Sequence, residues 1–200
     1  MSTNLLAPSF YERGAMEVAR SLIGTILVSR IDGHRVSGMI VETEAYLPTG
    51  DSASHGVHGR NRKNRSMFGP AGRAYVYPIH ARHCFNAVTG QAGIASAVLI
   101  RAVEPIGGVD SMMQRRQKQD LTLLTSGPAR LCEAFALNRQ HDGMSLTARR
   151  TVWLEHNPAF TAAPKRLRAT RRIGVTSAQR RKLRFVLRDN LFVSGPRYLG

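Results

Sequence analysis

The stretch Val41-Glu42-Thr43-Glu44-Ala45-Tyr46 determines how this sequence is interpreted, and it directly follows the apolar pair Met39-Ile40. Its length and composition predict a short strand that ends before a turn at Pro48–Asp51. Because strand side chains alternate, the two glutamates and the tyrosine share one face. Two carboxylates on such a strand are unfavourable unless they are well paired or take part in chemistry. The strand alone leaves two interpretations open: a catalytic face, or a half-exposed edge strand with solvated glutamates.

The charge of the chain is strongly positive, with 29 Lys and Arg against 13 Asp and Glu in 200 residues, a formal net charge of +16. This excess predicts a polyanionic partner, nucleic acid before a membrane surface, and an affinity that salt weakens. No apolar run is long enough to span a membrane, and Met1–Arg13 lacks a signal-peptide pattern. Two cysteines, Cys84 and Cys132, are too few for a disulfide framework, which favours a cytoplasmic compartment.

The hydrophobic pattern predicts one α+β domain over residues 1–200, with a mainly antiparallel sheet and no repeat or linker. Hairpin turns are predicted at Ile31–His34 and at His80–His83. The predicted elements, in chain order, are a helix over Phe10–Leu22, strands over Thr25–Val28, Val36–Ala45, Ala74–Ile79, Cys84–Thr89 and Ala97–Val103, helices over Val109–Gln119 and Pro128–Leu137, and strands over Arg149–Leu154 and Leu183–Leu187.

The residues between Tyr46 and Pro70 predict a long basic loop, and such loops in compact domains are often functional. We interpret its cationic side chains as contacts that position a phosphate backbone without reading sequence; they are Arg60, Arg62, Lys63 and Arg65. The alternative is a solvated basic loop. A second basic segment, Lys165–Lys182, separates the last two predicted strands.

Two histidine pairs have spacings that could ligate zinc: His55 with His58, and His80 with His83, which precedes Cys84. The paired-cysteine and His-Glu-x-x-His patterns of common zinc sites are absent from the sequence, so we expect no metal. Nucleophilic catalysis is poorly supported, because both cysteines lie inside predicted elements and no Gly-x-Ser-x-Gly motif occurs.

Three further residues could belong to a site. Tyr77 lies on a predicted strand, where core packing is the default, but Tyr46 and Tyr77 beside a carboxylate could enclose a planar base. Arg101 in an apolar strand needs a carboxylate partner, for which Glu44 and Glu104 are both plausible. Asn86 also has apolar neighbours, and a satisfied core amide is its default interpretation.

The chain carries a series of motifs in a specific order: Val41–Tyr46, Ala53-Ser-His55, Met67-Phe-Gly-Pro70, Tyr75-Val-Tyr77, Asn86, Leu99–Pro105, Ser126-Gly-Pro128, Arg172-Ile-Gly-Val175 and Leu183-Arg-Phe185. This series resembles the alkyladenine (3-methyladenine) DNA glycosylase family over about residues 8–195. The resemblance implies a single domain with a curved, open-barrel-like antiparallel sheet, flanking helices and a protruding β-hairpin. Members of the family flip a damaged purine, alkylated or deaminated, out of duplex DNA and hydrolyse its N-glycosidic bond without a cofactor.

The resemblance also implies residue roles. Glu44 would be the general base that activates water, and Arg101 and the carbonyl of Ile173 would help to hold that water. In the implied base pocket, Tyr46 and Tyr77 would stack on the base, His55 would contact it, and Asn86 would clash with the amino group of guanine. Ala53, Leu99 and Met67 would line the pocket or its rim, and Met67 would also contact the DNA. No lysine lies in these motifs, which favours hydrolysis without a Schiff base.

The hairpin tip departs from the pattern of the family. A tyrosine that wedges into the minor groove is usual there, whereas this chain has His80, and Ala81-Arg82 follows where Gly-Met is usual. The segment Tyr75–Asn86 is also one residue short. Histidine is smaller than tyrosine and can carry charge, so we expect His80 to intercalate less effectively and Arg82 to compensate with phosphate or groove contacts.

The expected partner is double-stranded DNA with damaged purines, bound by a monomer in the cytoplasm and associated with the nucleoid. Two alternatives stay open. One is a non-catalytic nucleic-acid-binding module on the same fold, and the other is a metal-dependent nuclease built on the histidines and the glutamates.

Overall fold

The sheet has a curled, half-barrel shape, and all its strand pairs in the described residues are antiparallel. The computed structural model describes residues 4–160 and 166–195. The strands are β1 (Ile26–Ile31), β2 (His34–Tyr46), β3 (Ala74–Ile79), β4 (Arg82–Val88), β5 (Ala97–Gly107), β6 (Val152–Glu155), β7 (Leu167–Thr170) and β8 (Arg184–Leu187). Their order is β3-β4-β5-β2-β1-β6, and β8 pairs with both β2 and β7. The predicted α+β class with a mainly antiparallel sheet is confirmed.

Strand β2 is central, and the interpretation of it as a half-exposed edge strand is wrong. It pairs with β1, β5 and β8, and both of its glutamates are buried. Three register shifts interrupt the β2–β5 ladder, and at the last of them Glu42 lies opposite Ala102 while Thr43 lies opposite Ile100. This irregularity leaves Arg101 without a direct cross-strand partner and turns its side chain toward the glutamates.

Short helices cover the sheet: α1 (Pro8–Tyr11), α2 (Ala15–Leu22), α3 (Val109–Arg116), α4 (Thr122–Thr125) and α5 (Pro128–Ala134). The helix predicted over Phe10–Leu22 is two helices, since Gly14 has extended dihedral angles before α2. Helix α3 ends before the predicted Gln119, because Gln117 adopts the left-handed conformation with φ of 50°. Helix α2 packs on β2, where the Thr43 hydroxyl donates to the Ala19 carbonyl at 2.8 Å.

The β3–β4 hairpin closes with two residues, His80 and Ala81, and not with the four-residue connection predicted. Their φ angles of 44° and 62° are the left-handed values that a type I′ turn requires. Strand β3 ends the sheet on this side, but its outer edge is covered at Val76. Asp142 accepts the Val76 N–H at 2.8 Å, and Arg139 donates to the Val76 carbonyl. These contacts protect an edge that would otherwise be open to strand pairing.

The C-terminal third differs from prediction in two places. The strand predicted from Arg149 begins only at Val152. The basic segment Lys165–Lys182 contains β7, which was not predicted, while Lys165 itself lies outside the described residues. Within 4–160 and 166–195, no helix is long and apolar enough to cross a membrane.

Candidate active site

Glu44 lies at the centre of the candidate active site, and its side chain is fully buried on β2. Its Oε1 accepts the backbone N–H of Ile173 at 2.8 Å and lies 3.4 Å from Nη1 of Arg101. Its Oε2 accepts the Tyr46 hydroxyl at 2.9 Å. Burial and the charge of Glu44 raise the pKa of Tyr46 well above its ordinary value, so the phenol keeps its proton and donates. Every one of these partners is a donor, which favours an ionised carboxylate.

Glu42 is a second buried carboxylate, two residues earlier on the same face of β2. Its Oε1 accepts from Nε of Arg101 at 2.9 Å, from Nε of Arg184 at 2.6 Å and from the Ser194 hydroxyl at 3.0 Å. Its Oε2 accepts the Ser194 backbone N–H at 2.7 Å. Two guanidinium groups therefore balance the two glutamates, which offsets the cost of burying four charges.

Arg101 bridges the two glutamates. Burial alone would lower the pKa of Arg101, but the carboxylates of Glu44 and Glu42 raise it above its ordinary value. Of the two partners considered from sequence, Glu44 is found, while Glu104 instead accepts the Asn190 side-chain amide at 2.7 Å. The irregular strand pairing thus places one cation between two carboxylates.

A separate buried pair, Arg172 with Asp51, lies beside the ring of Tyr46. Arg172 donates to both carboxylate oxygens of Asp51, at 2.8 and 2.6 Å, and to the Ala45 carbonyl at 3.0 Å. Its guanidinium carbon lies 4.7 Å from the centroid of the Tyr46 ring. Asp51 also accepts the Leu47 N–H at 3.0 Å. The pair therefore ties the end of β2 to the following loop and restrains the Tyr46 ring.

Three rings form an aromatic wall, which consists of His55, Tyr75 and Tyr77. The two tyrosine centroids are 5.5 Å apart, and His55 meets Tyr77 edge-on at 4.5 Å. The Tyr75 hydroxyl and Nδ1 of His55 are 2.8 Å apart. Desolvation lowers the pKa of His55, which favours the neutral ring at neutral pH. Buried Asn64 holds this part of the loop, donating to the carbonyls of His55 and Gly59 at 2.8 and 2.9 Å.

The remaining predicted pocket residues lie behind or beside this wall. Asn86 on β4 is opposite Tyr75 on β3 and Leu99 on β5, and its amide donates to the Tyr75 carbonyl at 2.9 Å. Met67 is buried and packs in a small apolar cluster with Tyr75, so it does not reach the exposed surface. Ala53 is half-buried, with its N–H directed at Asp51.

The predicted DNA contacts other than Met67 are exposed. The four loop cations, Arg60, Arg62, Lys63 and Arg65, are all on the surface. His80 and Arg82 are exposed at the hairpin tip, next to an exposed Ile79. In the part of the chain that the structure describes, no group of three His, Cys, Asp or Glu residues could hold a metal ion.

Comparison with known proteins bears directly on this arrangement. A family model described as Methylpurine-DNA glycosylase (MPG) matches residues 9–191. The chain belongs to this family. A relative from Rhodopirellula baltica is 43% identical over 97% of this chain and 84% of its own length. One from Methanoculleus marisnigri is 43% identical over 94% of this chain and 98% of its own. Both carry the name "Putative 3-methyladenine DNA glycosylase".

The family resemblance derived from sequence is thereby confirmed, and a DNA glycosylase function is supported. Two parts of the candidate site were not predicted from the sequence. Arg184 is a lone cation in an apolar strand, the same signal that drew attention to Arg101. Asp51 and Arg172 are 121 residues apart, and no local pattern links them. At Ile173, the backbone amide donates to Glu44, a contact that the resemblance did not imply, and the role of the Ile173 carbonyl in holding water stays a prediction.

Proposed function

We propose that this family member flips an alkylated or deaminated purine out of duplex DNA and hydrolyses its N-glycosidic bond, leaving an abasic site. The main support for this proposal is the environment of Glu44. Its buried carboxylate is restrained at Oε1 by Ile173 and Arg101 and contacts a tyrosine hydroxyl at Oε2, beside an aromatic wall.

Oε2 is the oxygen of Glu44 at which a water would replace the present hydrogen-bond partner. The partners of Oε1 are a backbone amide and a guanidinium already paired with Glu42, whereas the one described partner of Oε2 within 4–160 and 166–195 is the Tyr46 hydroxyl. A water that replaces the Tyr46 hydroxyl would donate its proton to Glu44 while its oxygen bonds to C1′ of the sugar. The bond from C1′ to the base nitrogen breaks, and its electron pair leaves with the purine. The carboxylate also stabilises positive charge that develops on the sugar.

Selectivity would come from the pocket. Flipping costs a few kcal/mol of lost stacking and pairing, and damaged bases cost less. Tyr46 and Tyr77 would stack on the extruded base, which supplies about 1–3 kcal/mol per base. A base that carries positive charge would gain additional binding free energy from the electron-rich rings. Asn86, on the strand beside this wall, would reject the amino group of guanine. With no lysine in these motifs, we expect a monofunctional glycosylase.

Double-stranded DNA would be held by the cationic loop, with the hairpin tip at the extrusion site. The loop cations would contact phosphates and give affinity without sequence preference. His80 and Arg82 would act at the vacated base position, where the tip is short and its turn is tight. We propose that the protein acts as a monomer on DNA of the nucleoid.

The test is excision by wild type and by Glu44→Gln from duplexes that contain 3-methyladenine or hypoxanthine. We expect the variant to lose about a hundredfold to ten-thousandfold in rate while it still binds DNA, because a neutral amide cannot accept the proton. Glu17→Gln, at an exposed ion pair with Arg13, is the matched control and should excise normally. Full excision by Glu44→Gln would contradict the assigned base, and no excision by wild type would contradict the function.

The altered hairpin tip favours one other candidate, a non-catalytic DNA-binding module. Both of its turn residues adopt left-handed φ values, although neither is glycine or asparagine. Tight binding to undamaged DNA without turnover on any lesion would support that alternative.

A further inference from the structure

We propose that Glu42 is a positioning residue, which orients Arg101 and through it Glu44, and that Ser194 locks this arrangement from the C-terminal segment. The inference rests on the proposed function for its effect on rate. Glu42 is closed to direct chemistry, since it is fully buried and its two oxygens accept four hydrogen bonds.

The geometry of Arg101 explains how orientation is transmitted. Its Nε donates to Glu42 at 2.9 Å and its Nη2 donates to the Ser194 hydroxyl at 3.3 Å. A guanidinium group is planar and rigid, so two fixed nitrogens fix the third. The third nitrogen, Nη1, is the one that faces Glu44 at 3.4 Å. Without Glu42, the plane of Arg101 would lose its principal restraint.

Ser194 is held by every charged side chain of this group except Glu44. Its N–H and hydroxyl donate to Glu42, its carbonyl accepts from Arg184 at 2.9 Å, and its hydroxyl accepts from Arg101. Arg184 is fixed in turn by the Thr170 hydroxyl at 3.1 Å.

The next residue, Gly195, lies against the side chain of Ile173. Its φ is 85°, and a Cβ there would come within 2.8 Å of the Ile173 side chain. Because the Ile173 amide holds Oε1 of Glu44, the segment at 194–195 touches both supports of that carboxylate. Residues 194 and 195 thus form part of the positioning apparatus, although neither contributes a ring to the aromatic wall.

The experiment measures the single-turnover excision rate at saturating enzyme and, separately, the Kd for duplex with a stable abasic-site analogue. We expect Glu42→Gln to slow excision by about a hundredfold, the effect of a small misplacement of catalytic groups, with Kd unchanged. The excision rate of Ser194→Ala should lie between those of wild type and Glu42→Gln. If Glu42→Gln fails to fold, the comparison of Ser194→Ala with wild type tests the proposal. Thr43→Val is the matched control, since it removes a buried hydrogen bond from the opposite face of β2.

Two further readouts separate positioning from mere support of the fold. In an Arg101→Lys background, Glu42→Gln should cost much less than in wild type, because the two changes act through one contact. A crystal structure of Glu42→Gln should show Nη1 of Arg101 displaced from Glu44. The inference would be overturned if the Arg101 guanidinium does not move in Glu42→Gln, or if Glu42→Gln slows the Arg101→Lys variant as much as it slows wild type. It would also be overturned if Glu42→Gln and Thr43→Val excise at the same rate. An inactive wild type would contradict the proposed function instead, and the position of Arg101 would still decide the structural claim.

Discussion

Replacing Asp51 by Asn removes the negative charge from the buried pair with Arg172 and should destabilise the protein strongly. Both side chains are fully buried, and two short hydrogen bonds join them. After the change, Arg172 keeps its charge, and its acceptors in the part of the chain that the structure describes are neutral, namely the Ala45 carbonyl and the new amide oxygen. An unpaired buried charge costs about 3–5 kcal/mol. Because asparagine retains one acceptor, we expect about 3 kcal/mol.

Urea denaturation followed by circular dichroism measures this loss, and the melting temperature should fall by about 6–12 °C for a chain of this size. Glu17→Gln is again the control, because the Arg13–Glu17 pair has a similar bond length of 2.8 Å but is solvent-exposed. Its loss should stay below about 1 kcal/mol. The double variant Asp51→Asn/Arg172→Met should recover part of the stability, since it leaves no buried charge.

The pH dependence gives a second check. Burial alone would raise the pKa of Asp51, but hydrogen bonds from Arg172 and from the Leu47 amide lower it below its ordinary value. The folded state therefore binds this proton less readily than the unfolded state. The stability that Asp51 contributes is present above pH of about 3.9 and is lost as the pH falls through the lower folded value. A loss below 1 kcal/mol at pH 7, or a difference from wild type that grows on acidification, would refute the reasoning.

Two other predictions concern the DNA-facing side. Ala81→Gly should stabilise the protein by about 1 kcal/mol in urea denaturation, because Ala81 has a φ of 62° that only glycine adopts without strain; unchanged or lower stability would contradict the assigned turn. Arg62→Ala should reduce the slope of log affinity against log salt for undamaged duplex by about 1, if its exposed guanidinium contacts one phosphate; an unchanged slope would remove Arg62 from the interface.

Local pattern was sufficient for most of the secondary structure. Strand alternation placed Glu42, Glu44 and Tyr46 on one face, and the structure joins the first two through Arg101 and the last two directly. Errors arose where single dihedral angles end an element, as at Gly14 and Gln117. Hydrophobic periodicity carries no information on these angles, so the first helix was predicted as one piece and α3 as too long.

The sequence by itself determined the family and the basic character of the chain, and it singled out Glu44 for the role proposed here, because these depend on residue types in a fixed order. It left Glu42 unexplained and gave no sign of the pairing between Asp51 and Arg172. The contacts of Glu42 form because β8 pairs with β2 and brings Arg184 beside Glu42, and because Ser194 bonds to both side chains. Only the tertiary structure could decide these contacts, since each joins groups more than a hundred residues apart, and burial makes the loss of either partner costly.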